Sequence, residues 1–159
     1  MKFSLIICTY MRPKPLLQLL QSVQEQTVYP DEILIIDGST NNETKSILEE
    51  NVFQNLNYFK VSPEQRGLTK QRNFGVERVE SEMDVVCFLD DDDSFSLDYI
   101  NNLYNEISLN PDMDVCIFRM TFSPDNETVL PPFGNEIIAV GQVGISFAIN
   151  KNFINKHDL

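Results

Sequence analysis

Four consecutive aspartates, Asp90-Asp91-Asp92-Asp93, follow directly on the apolar run Val85-Val86-Cys87-Phe88-Leu89. That run is too short for a helix of ordinary length and predicts a strand buried on both faces, as in the middle of a parallel sheet. In open α/β sheets the ligand sits just beyond the carboxyl ends of the strands, so the acids arrive at the working position. Adjacent carboxylates repel by roughly 1 kcal/mol per pair at 4 Å in water, and by more when desolvated. Such a run calls for a cation. A divalent ion held through one or two carboxylates keeps coordination sites open for phosphate oxygens. Between the third predicted strand and its helix, Arg66, Lys70 and Arg72 bring cations that can face the same phosphates. Asp37, at the end of another strand, can accept a hydrogen bond from a base or a ribose. Together these groups describe a nucleotide-diphosphate site.

The elements that must position them alternate along the chain. Phe3–Thr9 reads as a first strand, ending in Thr9-Tyr10. Pro13 and Pro15 open a helix with Leu16, Leu19, Leu20 and Val23 along one face. Glu32–Ile36 is a second buried strand, ending in the turn Asp37-Gly38-Ser39-Thr40. A helix is expected over Asn41–Glu50, a short strand over Asn57–Val61 and a helix over Thr69–Val79. After the Val85–Leu89 strand, a helix starts from a Ser96 cap, carries Ile100, Leu103, Tyr104 and Ile107, and stops at Pro111. Asp114–Phe122 is a further strand. Beyond it the rhythm breaks: a turn at Ser123–Glu127, an irregular Pro131–Gly134, short mixed or antiparallel strands at Ile137–Val140 and Ser146–Asn150, and a helix starting over Lys151–Lys156. This order predicts an α/β fold, a mostly parallel sheet sandwiched by helices with a mixed or antiparallel C-terminal portion.

Global properties narrow the function classes. At 159 residues the chain reads as one domain. A net charge of −12 argues against nucleic acid as a partner. No apolar run approaches the roughly 18 residues of a transmembrane segment. Met1–Cys8 lacks a small-residue cleavage site and runs into the first strand, which argues against a signal peptide. Cys8, Cys87 and Cys116 lie in apolar runs without a C-x-x-C pattern, so buried free thiols in a reducing compartment are expected, hence a cytoplasmic protein.

The order of Ser4-Leu5-Ile6-Ile7-Cys8-Thr9-Tyr10, Ile36-Asp37-Gly38-Ser39-Thr40, Arg66-Gly67…Gln71-Arg72-Asn73-Phe74-Gly75 and Phe88–Asp93 resembles family 2 glycosyltransferases with the Rossmann-like GT-A fold. The resemblance runs from residue 3 to about residue 110, and more loosely through Gly144–Asn150. It implies an inverting transferase that moves a sugar from a nucleotide-diphosphate donor, a UDP-sugar favoured, to a saccharide or lipid-linked acceptor, with Mn²⁺ or Mg²⁺. It assigns Cys8, Thr9 and Tyr10 to the nucleoside pocket and Asp37 to the base. Asp90 and Asp92 become the metal-binding D-x-D, with Asp92 the direct ligand and Asp91 beside them on the nucleotide. Residues 1–95 would form the nucleotide-sugar half and 96–159 the start of an acceptor half, and a lipid-linked acceptor would draw the protein to the inner face of a membrane. The chain departs from the family at Ile36, where an acidic residue is usual. It also offers no candidate for the catalytic base, which is expected beyond Leu159, as in a C-terminally truncated domain.

Rival readings remain. An EF-hand fails because Phe95 takes the glycine position and Asn101 that of the bidentate acid. A haloacid-type phosphatase would carry its nucleophile after the first strand. A sugar nucleotidyltransferase would have a glycine-rich loop where Thr9-Tyr10-Met11-Arg12-Pro13 stands. A nucleotide-sugar-binding or nucleotidyltransferase-like domain without glycosyl transfer is the alternative function.

Overall fold

The computed structural model describes residues 1–117, 120–122, 127–130, 147–151 and 154. In chain order they form β1 (Phe3–Thr9), α1 (Pro13–Gln24), β2 (Glu32–Asp37), α2 (Glu43–Glu49), β3 (Leu56–Lys60), α3 (Leu68–Val76), β4 (Val85–Asp90), α4 (Tyr99–Leu109), β5 (Val115–Ile117), β6 (Met120–Phe122), β7 (Glu127–Leu130) and β8 (Phe147–Asn150). Six strands make one sheet in the order β3-β2-β1-β4-β8-β5, and β6 and β7 pair separately.

Every residue of β1 and β2 is buried, because both faces of the sheet are covered. Phe3, Leu5 and Ile7 point to one side, where Leu16, Leu19, Leu20 and Val23 of α1 meet Ile100 and Leu103 of α4. Ile6 and Cys8 point to the other, against Leu34, Ile36 and Phe88, with Phe74 and Val76 of α3 packed on them. Two-sided burial explains why these strands read as continuous apolar runs.

The register sets the site. β1 runs parallel to β2 and to β4, pairing Thr9 with Asp37 and Cys8 with Asp90. The polar strand ends therefore finish level at one edge. From β1 the order runs outward to β2 and β3 on one side and to β4 on the other, which opens a crevice at the carboxyl ends of β1 and β4.

The antiparallel portion is β8, inserted between β4 and β5 and antiparallel to both. The single strand expected over Asp114–Phe122 is instead two: β5 ends against β8, and β6 leaves to pair with β7. Apolar content alone cannot reveal this, since the partner strands lie elsewhere in the chain. The helix expected from Ser96 begins at Tyr99 with Asp98 before it: Gln26 stands between the Ser96 carbonyl and the Ile100 N–H, donating to the first at 2.7 Å and accepting from the second at 3.2 Å. The helix expected to reach Val79 ends at Val76, and residues 63–65 form an extra 3₁₀ turn. The expected turn is described only at Glu127, where β7 starts, while Pro131–Gly134 and the strand at Ile137–Val140 fall outside the described residues. Lys151 and Ile154 are helical, as expected there. The three cysteines are free; Cys8 and Cys87 are buried, whereas Cys116 is only partly so. Burial pushes the Cys8 and Cys87 thiols up to about 12. Among the described residues, no helix is long and apolar enough to cross a membrane.

Helix α3 lies unusually close to the sheet at Gly75. A Cβ there would stand 2.7 Å from Ile6 Cγ2 and 3.3 Å from Ile36 Cγ1, both on fully buried side chains. Gly75→Ala should destabilise by about 1–2 kcal/mol, overpacking of roughly 1–3 kcal/mol set against a helix-propensity gain of up to about 1. Urea unfolding checks this; a more stable variant would mean that the helix lifts off the sheet at no cost.

Candidate functional site

An open cleft of about 580 Å³ lies at the crevice. Its walls are Cys8, Thr9, Tyr10 and Arg12 after β1, Arg66, Gly67, Leu68 and Gln71 at the start of α3, and Asp90, Asp91 and Asp92 after β4.

The aspartates are held by the chain itself. Thr9 Oγ1 donates to Asp91 Oδ2 at 2.6 Å, and Arg12 Nη1 donates to Asp91 Oδ1 at 2.8 Å. The same guanidinium reaches Asp92 Oδ2 through Nη2, also at 2.8 Å. Arg72 Nη2 contacts Asp90 Oδ1 at 3.1 Å, with its guanidinium carbon 5.7 Å from the Phe88 ring centre. Two arginines thus offset the repulsion that the sequence alone assigns to a metal. Burial raises the Asp90 and Asp91 carboxyls above the usual range; Arg72 opposes this at Asp90, and Thr9 and Arg12 oppose it at Asp91.

Gln71, buried on the first turns of α3, ties the strand ends together. Its Nε2 donates to the carbonyls of Thr9 at 3.1 Å and Ile36 at 2.8 Å, and its Oε1 accepts the Gly67 N–H at 3.2 Å. Gly67 precedes α3 with φ of +112°, a conformation that side-chain-bearing residues rarely adopt. At Gly38, a Cβ would come within 3.1 Å of Gln71 Oε1.

Asp37 does not line the cleft. It is fully buried, its Oδ1 taking the Ser39 N–H at 2.7 Å and its Oδ2 the Tyr58 hydroxyl at 2.8 Å. Ser39 Oγ in turn accepts the Met11 N–H at 2.8 Å. Met11 sits at φ +56°, unusual for a residue other than glycine or asparagine. Asp37 therefore braces the turn that aims Tyr10 and Arg12, instead of presenting a free carboxylate to a base in this conformation.

The structure brings Cys8, Thr9, Tyr10, Arg66, Asp90, Asp91 and Asp92 to one cleft. Arg72 stands behind it on Asp90. Lys70 points away, its Nζ donating to the Glu64 carbonyl at 2.8 Å. Sequence reasoning misses Arg12, Leu68 and Gln71. The cation just past the first strand is a usable signal for Arg12; Gln71 stands within the Arg66–Gly75 motif, but nothing local marks the backbone groups it meets. Arg66 stands apart from the other arginines: its side chain lines the cleft, its Nε is buried without a hydrogen-bond partner, and it forms no ion pair among the described residues.

Among the described residues, no three Asp, Glu, His or Cys side chains gather into a metal cage. The donors present still fit a hard divalent ion that shares its shell with phosphate. Among the described residues, Asp90 and Asp92 each accept a side-chain bond through one oxygen, leaving the second for a cation. Asp91 has both oxygens engaged.

The profile of the family described as "Glycosyl transferase family 2" matches residues 4–158. The uncharacterized glycosyltransferase YwdF of Bacillus subtilis is 34% identical over 109 residues, 67% of this chain and 38% of that protein. The Escherichia coli UDP-Gal:alpha-D-GlcNAc-diphosphoundecaprenol beta-1,3-galactosyltransferase is 27% identical over 146 residues, 86% of this chain and 52% of that protein. The chain thus spans about half or less of the length of these relatives. Among solved structures, Staphylococcus aureus TarS 1-349 in complex with UDP-GlcNAc superposes with a TM-score of 0.81 at 21% identity, over 99% of this chain and 48% of that one.

Proposed function

This chain belongs to glycosyl transferase family 2, and on that premise we propose that its cleft binds a nucleotide-diphosphate sugar for inverting transfer to an acceptor hydroxyl. One observation carries the reading. Two hard carboxylates with an oxygen to spare, Asp90 and Asp92, share a cleft with a guanidinium, Arg66, that forms no ion pair among the described residues. A diphosphate carrying a divalent cation needs both charges; a self-neutralised surface would have neither to spare.

In this reading Asp92, half-exposed at the rim, is the first ligand of Mn²⁺ or Mg²⁺, and Asp90 the second. The bound ion supplies Lewis-acid stabilisation of the departing diphosphate. Arg66 binds phosphate oxygens, and Tyr10, exposed at the mouth, contacts the nucleoside with Cys8 and Thr9 at its floor. Asp37 supports that contact by fixing the Ser39–Met11 turn. A UDP-sugar is favoured, and a lipid-linked acceptor is supported by the name of the E. coli relative. That acceptor would bring the protein to the inner face of a membrane. The acceptor proton must pass to a carboxylate opposite the leaving group. Asp90–Asp92 are on the diphosphate side, so the base lies outside the aspartate run.

The test is thermal stabilisation by UDP with Mn²⁺, which should reach about 2.7 kcal/mol at a hundredfold excess over Kd. Asp92→Asn should lose most of the metal-dependent part. Its ligand-free stability should stay within about 1 kcal/mol, because its pair with Arg12 is solvent-exposed. An equal metal-dependent shift in both proteins would place the ion elsewhere. A larger shift with a nucleoside triphosphate and Mg²⁺ would favour the nucleotidyltransferase-like alternative.

A further inference from the structure

We propose that Arg12 is a resident counter-cation that competes with the divalent metal for Asp92 and so makes metal binding depend on the nucleotide diphosphate. This rests on the donor-site reading above. The geometry that carries it is a single guanidinium spanning two neighbouring carboxylates, Asp91 Oδ1 and Asp92 Oδ2, each at 2.8 Å. The two anchors differ. Asp91 is buried, and its other oxygen is fixed by Thr9 at 2.6 Å, so this half of the fork is firmly seated. Asp92 is half-exposed and bonds to Arg12 alone among the described residues, so this half is the one a competitor can open.

A metal ion arriving alone must take Asp92 from a cation and then remain close to it. A divalent ion and a guanidinium a few ångström apart repel, in water twice as strongly as two unit charges and more in a partly closed cleft. A metal ion arriving with a diphosphate brings anionic oxygens into the cleft that Arg12 lines, and these replace the partner the guanidinium gives up. Arg12 therefore opposes the bare ion and tolerates the ion–nucleotide pair. By linkage, the same residue makes the nucleotide prefer the metal-loaded site, since the coupling is reciprocal. The opposite role, a guanidinium that merely preorganises the carboxylates for the ion, predicts the opposite sign on its removal.

Calorimetric titration of Mn²⁺ into the nucleotide-free protein reads that sign. Arg12→Gln should bind Mn²⁺ alone about thirtyfold more tightly than the wild type, a factor set by the repulsion between a divalent ion and one guanidinium in water. The gain in Mn²⁺ affinity on adding saturating UDP should shrink correspondingly. Arg12→Lys retains the charge but cannot fork across both acids; it should fall between the two, and it decides the matter if Arg12→Gln does not fold. Unchanged or weaker binding of Mn²⁺ alone by these variants, with UDP–Mn²⁺ synergy intact in the wild type, would overturn the role of Arg12 and leave the donor site standing. No Mn²⁺ binding by any of the proteins, with or without UDP, would overturn both.

Discussion

Leucine in place of Gln71 should lower the unfolding free energy by about 2–4 kcal/mol and weaken nucleotide binding at the same time. The side chain is 4% exposed and serves three backbone groups at the floor of the cleft: the carbonyls of Thr9 and Ile36 and the N–H of Gly67. Leaving a buried polar group unpaired costs about 1–3 kcal/mol. The Thr9 carbonyl also accepts the Gly38 N–H at 3.0 Å, so it is not stranded; the Ile36 carbonyl and the Gly67 N–H lose a partner each. Leucine occupies a similar volume, so the loss reports hydrogen bonding more than a cavity. Gln71→Glu retains an acceptor for Gly67 but donates nothing to the two carbonyls, and it should be destabilised as well. Equilibrium urea unfolding measures both. A loss below about 0.5 kcal/mol would mean that the strand ends and the α3 start hold their places without this side chain.

Gln71 also shows where sequence reading stops. The strands β1 and β4 are legible because two-sided burial leaves continuous apolar runs, and the site edge is legible because polar residues appear where those runs end. What each polar residue faces is not written locally. Arg12 and Asp91 are 79 residues apart, and Gln71 is 62 residues from Thr9. Only the β1–β4 pairing brings the first pair together, and only the packing of α3 over Gly75 brings the second. Asp37 illustrates the same limit from the other side. Its place at a strand end is as expected, but Tyr58 and Ser39 claim its oxygens, and a hydroxyl 21 residues away cannot be anticipated from the turn sequence. Four carboxylates at the end of β4 require cations nearby, and the nearest in the fold are the guanidinium groups of Arg12 and Arg72, which the aspartate run itself does not indicate.

Alanine in place of Arg66 should reduce UDP affinity by roughly ten- to a hundredfold, with uridine binding unchanged. Charged hydrogen bonds contribute about 1.5–3 kcal/mol, and a tenfold change in Kd corresponds to about 1.4. Arg66 forms no ion pair among the described residues, and its acidic neighbour, Glu64, is exposed at the surface, so removing it strands no buried carboxylate and need not disturb the cleft. The same cannot be said of Arg12, whose loss leaves buried Asp91 with Thr9 alone, nor of Arg72, which answers Asp90. Lys70 gives the internal comparison. It lies four residues after Arg66, in the first turn of α3, but donates to the Glu64 carbonyl outside the cleft, so Lys70→Ala should shift UDP affinity little. Titrations of UDP and of uridine against the three proteins separate the cases. Selective loss of UDP in the Arg66 variant alone assigns the phosphates to the α3 side of the cleft, opposite the β1 turn. Parallel loss of UDP and uridine would make Arg66 a structural wall. A larger loss at Lys70 would mean that its bond to Glu64 opens when nucleotide binds, and that the phosphates lie further along α3 than Arg66.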